Sequence, residues 1–143
     1  MTEVATAILL DPDGHLLAYL RDDESKGIPF PNHWDLFGGH VEDGETPIVA
    51  LRREIQEELG IHVPEPQFFR KYECLEGDVR PNTKHVFWSQ IQQRTSDLIL
   101  REGQRLGSIP FKDRHQFRFA NILGSILDDF VASYEDGNIR VHD

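Results

Sequence analysis

The chain holds one cysteine, Cys74, in 143 residues. A disulfide within the chain is therefore impossible, and packing has to hold the fold. A lone cysteine outside any motif reads as a small buried hydrophobe, and the usage fits a reducing, cytoplasmic setting. Cations are also scarce: 15 Lys and Arg stand against 25 Asp and Glu, a net charge of −10. A nucleic-acid polymer needs a basic footprint, so that class of partner is excluded. Small phosphorylated ligands stay compatible if divalent cations lie between the two sets of negative charge. No apolar run approaches the roughly 20 residues that span a bilayer. The start "MTEVATAILLDPDG" lacks the basic region of a signal peptide. H-E-x-x-H, Cys/His metal spacings, G-x-S-x-G and the P-loop are all missing. His33, His40, His85 and His115 are read as surface or packing residues.

What the chain has is a run of punctuated short elements, enough for a single domain over residues 1–143. Val4 to Leu10 is apolar and rich in strand formers. The turn "DPDG" and then "HLLAYLR" follow, which predicts a β-hairpin. "DDESKGIPFPN" is a loop. "HWDLF" is a short strand ending at Gly38-Gly39. Thr46 and Pro47 look like the N-cap and first position of a helix that runs to about Leu59 and stops at Gly60. "PQFFRKYECL" and "KHVFWSQIQ" read as strands joined by "EGDVRPNT". "REGQRLGSIPF" reads as a loop with a short strand, "NILGSILDDFVASY" as an amphipathic helix, and "EDGNIRVHD" as a tail. Strands flanked by two helices predict an α/β layered fold with a mixed sheet.

The first helix concentrates like charges. At 100° per residue, Leu51, Ile55, Ile48 and Leu59 form one apolar stripe. Glu54, Glu57 and Glu58 share an arc of about 100° beside that stripe rather than opposite it. Solvent screening is weaker at such a rim, and like charges at i and i+4 repel. Arg53, one turn before Glu57, offsets part of this and cannot neutralise three carboxylates. Two readings stand: a solvated acidic face, or a site for a hard divalent cation.

The spacing around this helix is more specific than the helix itself. Gly39 is followed by five residues and Glu45. Seven more lead to Arg53-Glu54-Ile55, then Gln56, Glu57-Glu58, Leu59, Gly60 and Ile61. This resembles the Nudix box, G-x5-E-x7-R-E-U-x-E-E-x-G-U with U apolar, at every defined position. The resemblance implies a Nudix-type α/β/α sandwich with a mixed β-sheet. It implies hydrolysis of the diphosphate linkage in a nucleoside diphosphate derivative, with Mg²⁺ or Mn²⁺ as cofactor and release of a monophosphate. The partner it implies is a small nucleotide, and family members are often homodimers.

Carried over by position, Glu57 and Glu58 would be the principal metal ligands. Glu54 would bind metal or take a proton from the attacking water, and Arg53 would orient the glutamates. Glu45 would fix the loop–helix geometry, and the Gly38 carbonyl could reach a metal. Two stretches resemble the 8-oxo-dGTP diphosphatases. Glu102 lies about where that branch has an acidic ligand outside the box, against a reading as an ordinary loop glutamate. Asn121 matches a purine-contacting Asn, against a reading as a simple N-cap. Arg21 is a candidate phosphate contact, and Phe30 and Trp34 are candidates for stacking on a base, with core packing the alternative for Trp34. Phe37 stands where the family commonly has Pro, and the loop before Trp34 is long for that branch. Substrate therefore stays open between an ordinary or oxidised (d)NTP, a nucleotide sugar, ADP-ribose and a dinucleotide. A Nudix module that binds a nucleotide without cleaving it is the competing class.

Overall fold

The structure is a computed structural model that describes residues 2–75, 80–135 and 137. Residues 76–79 of the expected turn, and most of the expected tail after Tyr134, lie outside the described residues. Among the described residues, seven strands and two α-helices follow one another as β1 (Thr2–Leu10), β2 (Leu16–Leu20), β3 (Trp34–Asp35), β4 (Phe37–His40), α1 (Pro47–Leu59), β5 (Gln67–Cys74), β6 (Asn82–Gln90), β7 (Arg105–Ile109) and α2 (Leu123–Glu135). The stretch expected as one short strand is therefore two, and β4 runs through Gly38 and Gly39 to His40 instead of ending at them.

All seven strands form one mixed sheet. Its axis is β1, which pairs in parallel with β6 along its whole length, Thr2 opposite Asn82 through Leu10 opposite Gln90. On its other side β1 changes partner. Val4 to Ala7 pair with β4, whereas only Leu9 and Leu10 pair with Leu17 and Leu16 of β2. The expected hairpin exists, but as a brief contact at the turn, where Asp11 Oδ1 accepts from the N–H groups of Asp13 and His15. β2 instead pairs with β7 and, at its far end, with β3. The sheet thus forks between β1–β4 and β2–β3–β7, and a cleft opens at the fork.

Strand alternation divides the core into two layers. Ala5, Ala7 and Leu9 of β1 join Ala50, Leu51, Ile55 and Leu59 of α1 on one face. Ile8 and Leu10 join Ile126, Leu127 and Phe130 of α2 on the other. The ends of α1 follow its sequence signals. Thr46 accepts from Val49 N–H, Pro47 opens the helix, and Gly60 closes it at φ 70° with its N–H on the Gln56 carbonyl. Cys74 is buried. Among the described residues no helix is long and apolar enough to cross a membrane.

Phe130 is the hub of the second layer, with ring centroids of Phe69, Phe111 and Trp88 at 5.4, 5.7 and 6.2 Å. Deleting a fully buried aromatic side chain typically costs about 3–5 kcal/mol. Phe130→Ala should lower the urea midpoint accordingly. Because α2 packs on the face away from α1, the variant should keep its affinity for divalent cations below its melting temperature.

Candidate active site

α1 presents its carboxylates as the helical arc requires, to unequal depths. Glu58 is 5% exposed, and its Oε1 accepts the Gly38 N–H at 3.0 Å. The side chain of Glu57 is 59% exposed and lies 3.6 Å from Arg53 Nη1. Glu54 lies between these extremes, against Gly39. Both glycines are steric necessities. A Cβ on Gly38, whose φ is 141°, would stand 2.0 Å from the Ala5 carbonyl oxygen. A Cβ on Gly39 would fall 2.4–2.7 Å from the Glu54 carboxylate. Only bare backbone lets β4 lie between β1 and the acidic edge of α1.

Arg53 organises this edge. It grips Glu45 with two bonds, Nε to Oε2 at 2.8 Å and Nη2 to Oε1 at 2.9 Å. Nη1 donates to Glu54 Oε1 at 2.9 Å, and Nη2 also donates to the His40 carbonyl at 3.0 Å. One planar cation therefore joins the box loop, the end of β4 and Glu54. Glu45 closes the loop by accepting from Glu42 N–H at 3.0 Å. Arg53 holds the Glu45 carboxyl below the usual carboxylate range.

Arg53 does not reach Glu58. Glu58 meets Glu102, which comes from the loop before β7. Burial first, then the hydrogen bond with Glu102 and the charges of Glu102 and Glu54, push the Glu58 carboxyl well up; the Gly38 N–H opposes this. Burial also raises Glu54, partly offset by Arg53. Two carboxyls in contact at a half-closed edge share a proton or attract a cation. The donor set is all oxygen, as Mg²⁺ and Mn²⁺ prefer. That chemistry suits a hard divalent ion, although Glu54, Glu58 and Glu102 do not as they stand bring three carboxylate oxygens within 4.8 Å of one another, and Glu57 lies at the outer end of the arc. A separate group, Asp11, Asp13 and His15, has ligand atoms within 4.8 Å of one another. It sits at the β1–β2 turn, where Asp11 already accepts from two backbone N–H groups and from Ser108.

Beside the carboxylates, the fork in the sheet encloses a cavity of about 500 Å³. Of the residues singled out from sequence, Arg21, Gly38, Glu102 and Asn121 line it. Arg21 is heavily engaged: Nη1 contacts Asp35 Oδ2 at 2.7 Å, and Nη2 and Nε donate to the carbonyls of Pro29 and Phe30 at 2.8 and 3.2 Å. Asn121 has a φ of 54°, outside the extended conformation of an N-cap. Phe30 and Trp34 do not line the cavity. Phe30 sets its ring edge-on to His33 at 5.4 Å. Trp34 is 9% exposed in the core, edge-on to Phe117 at 5.5 Å and pressed against Gly107. Its packing leaves it to the core alternative, because a strand residue of that size fills the layer under β7. Phe37 is also core, fully buried and 5.2 Å from Tyr19, at the floor of the cavity that it helps to line.

Tyr19, Asp35, Asn82 and Lys84 also line the cavity and were not singled out from sequence. Asp35 is half-buried, and desolvation raises its carboxyl against the pull of Arg21. Lys84 is 5% exposed and donates to Asn82 Oδ1 at 3.1 Å. The available signal was alternation: Asn82 and Lys84 take the same face of β6 as buried Val86.

Comparison with known proteins agrees with this geometry. A nucleoside triphosphatase of Escherichia coli O139:H28, NudI, is 53% identical over 53 residues, 36% of each protein. Nudix hydrolase 3 of Arabidopsis thaliana is 32% identical over 76 residues, which are 50% of this chain and 10% of that protein. The matched segments therefore span about a tenth to a third of these relatives. The solution structure of the Escherichia coli ORF135 protein superposes with a TM-score of 0.75 at 27% identity, covering 94% of this chain and 91% of that one. The Nudix domain of Shewanella oneidensis NrtR, complexed with ADP ribose, superposes at 0.76 with 14% identity, covering 92% and 87%, a likeness of fold. The sequence model of the NUDIX domain matches residues 2–122. With that match spanning both the box and the forked sheet that carries it, the chain belongs to the Nudix family.

Proposed function

We propose that this protein is a Mg²⁺-dependent hydrolase that splits the diphosphate linkage of a small nucleoside diphosphate derivative and releases a monophosphate. The observation that carries the reading is the contact between buried Glu58 and Glu102, with Glu54 alongside and no cation of the chain bonded to Glu58 among the described residues. A nucleotide-binding module without chemistry has no need to keep three carboxylates at a shielded edge against their repulsion. An ordinary or oxidised (d)NTP is favoured as substrate over a nucleotide sugar or ADP-ribose by the NudI likeness. Mn²⁺ is an acceptable substitute on the chemistry of the donors.

An ion bound there would neutralise the diphosphate and polarise its phosphoryl oxygens. Glu58 and Glu102 would hold it, and Glu57 would complete the set from the exposed side. Glu54 would accept the proton of the attacking water. Arg53 keeps Glu54 aimed, and its bidentate grip on Glu45 fixes that aim relative to the loop. The cavity beside Gly38 would take the nucleoside, with Asn121 and Arg21 at its wall.

Phosphate release over a panel of (d)NTPs, nucleotide sugars and ADP-ribose tests the reading. EDTA should abolish turnover and leave the fold. Glu58→Gln should lower turnover on the order of a hundredfold or more, the loss of several kcal/mol of charge stabilisation. Glu54→Gln should cost about 10²–10⁴, the range of a general base. Full activity in either variant at saturating Mg²⁺ would remove these residues from the reaction.

The raised Glu58 carboxyl gives a pH test with a defined sign. In metal-free protein its stabilising effect is complete below the ordinary carboxylate range and lost as pH rises through the raised value. Metal-free protein should therefore lose melting temperature toward alkaline pH, and Glu58→Gln should lose less. Mg²⁺ binding requires the carboxylate, so it should release protons and tighten as pH rises. Calorimetric titration in two buffers of different ionisation enthalpy reads the protons directly. Equal heats in both buffers would contradict the shared proton.

A further inference from the structure

Glu102 arrives at Glu58 from a loop, and a loop carboxylate needs something to hold it there. On its α1 side the tether is visible. The Arg101 N–H donates to the Glu58 carbonyl at 3.0 Å, and Arg101 Nη1 donates to the Gln56 carbonyl at 3.3 Å. Both are carbonyls of the last helical turn; the Gln56 carbonyl also accepts the Gly60 N–H that closes the helix, and the Glu58 carbonyl lies among the terminal ones that have no helical partner. The guanidinium lies over Gly60, where a Cβ would stand 2.7 Å from Nη2.

On the other side of Glu102 the chain turns at Gly103, with φ 78°, directly against β2. A Cβ there would be 2.7 Å from both the Leu20 carbonyl oxygen and the Tyr19 ring. Gln104 then makes three bonds. Its N–H donates to the Leu20 carbonyl at 2.8 Å. Its side-chain Nε2 donates to the Arg21 carbonyl at 2.7 Å and to Asn32 Oδ1 at 2.8 Å. Arg21 is the residue whose guanidinium binds Pro29 and Phe30, and Asn32 belongs to the same segment. Asn32 holds a φ of 57°, which asparagine tolerates, and Phe30 a φ of 50°, which a bulky residue adopts only where its surroundings impose it. One amide therefore clips three things together: the end of β2, the segment 22–33 at the cavity wall, and the loop that carries Glu102.

We propose that Gln104 is a positioning residue for the cation site. By holding the Glu102 loop to β2 and Asn32, it sets Glu102 against Glu58 and so raises affinity for the divalent ion. The proposal rests on the metal-site reading above. Gln104 itself touches neither the ion nor the reacting atoms.

The test is titration with Mn²⁺ alone, followed by electron paramagnetic resonance, on wild type, Gln104→Ala, Glu102→Gln and the double variant. Gln104→Ala should weaken Mn²⁺ binding about fivefold, the factor that one lost net hydrogen bond is worth. Gln104→Glu, which keeps the shape and loses the donor, should weaken it at least as much. In the Glu102→Gln background Gln104→Ala should add nothing, because its effect travels through Glu102. Unchanged Mn²⁺ affinity in both Gln104 variants overturns the proposal. So does a fivefold loss that persists undiminished without Glu102, which would mark a general loosening. Wild type that binds no Mn²⁺ defeats the metal-site reading itself, and this proposal with it. Wild type that binds Mn²⁺ but cleaves no nucleotide defeats only the hydrolase reading.

Discussion

The structure depends on one uncomfortable contact, the carboxyl of Glu58 buried against Glu102 at the edge of α1. Burial of a carboxylate is costly unless charge or hydrogen bonds compensate it. Here the compensation from the chain is partial. Gly38 supplies one N–H, and Arg53 serves the neighbours Glu45 and Glu54. The remaining deficit has the sign and the donor atoms that suit a hard divalent cation. Much of the surrounding architecture can be understood as what it takes to hold that deficit in place.

Backbone does most of this holding. β4 passes between β1 and α1 only because Gly38 and Gly39 carry no Cβ. Its insertion displaces β2 from β1 over most of its length, which forks the sheet and opens the cavity. The acidic edge and the cavity therefore have a common origin in two glycines. In the proposed reading, the nucleotide's phosphates would face the acidic edge and its remaining part would enter the fork.

The box helix was legible in the sequence because its signals are local. Thr46, Pro47 and Gly60 act within one turn of themselves, and helical geometry alone puts Glu58 beside Leu51 and Ile55. Glu58 and Glu57 read alike in sequence, yet depth separates them, because β4 covers one and not the other. Register between distant strands was not legible. Nothing local says that β1 prefers β6 and β4 to its hairpin neighbour. The cavity-lining roles of Asp35 and Lys84 follow from that pairing, as does the placement of Trp34 in the core. Arg21 shows the same limit: a strand-end arginine looks available until the segment it binds is folded over it.

The most direct measurement is the anomalous difference density of Mn²⁺ in crystals of the protein. The account predicts a peak bounded by Glu54, Glu58 and Glu102, with Glu57 able to reach it. A peak only at Asp11, Asp13 and His15, or none with Glu58 and Glu102 still in contact, would contradict it.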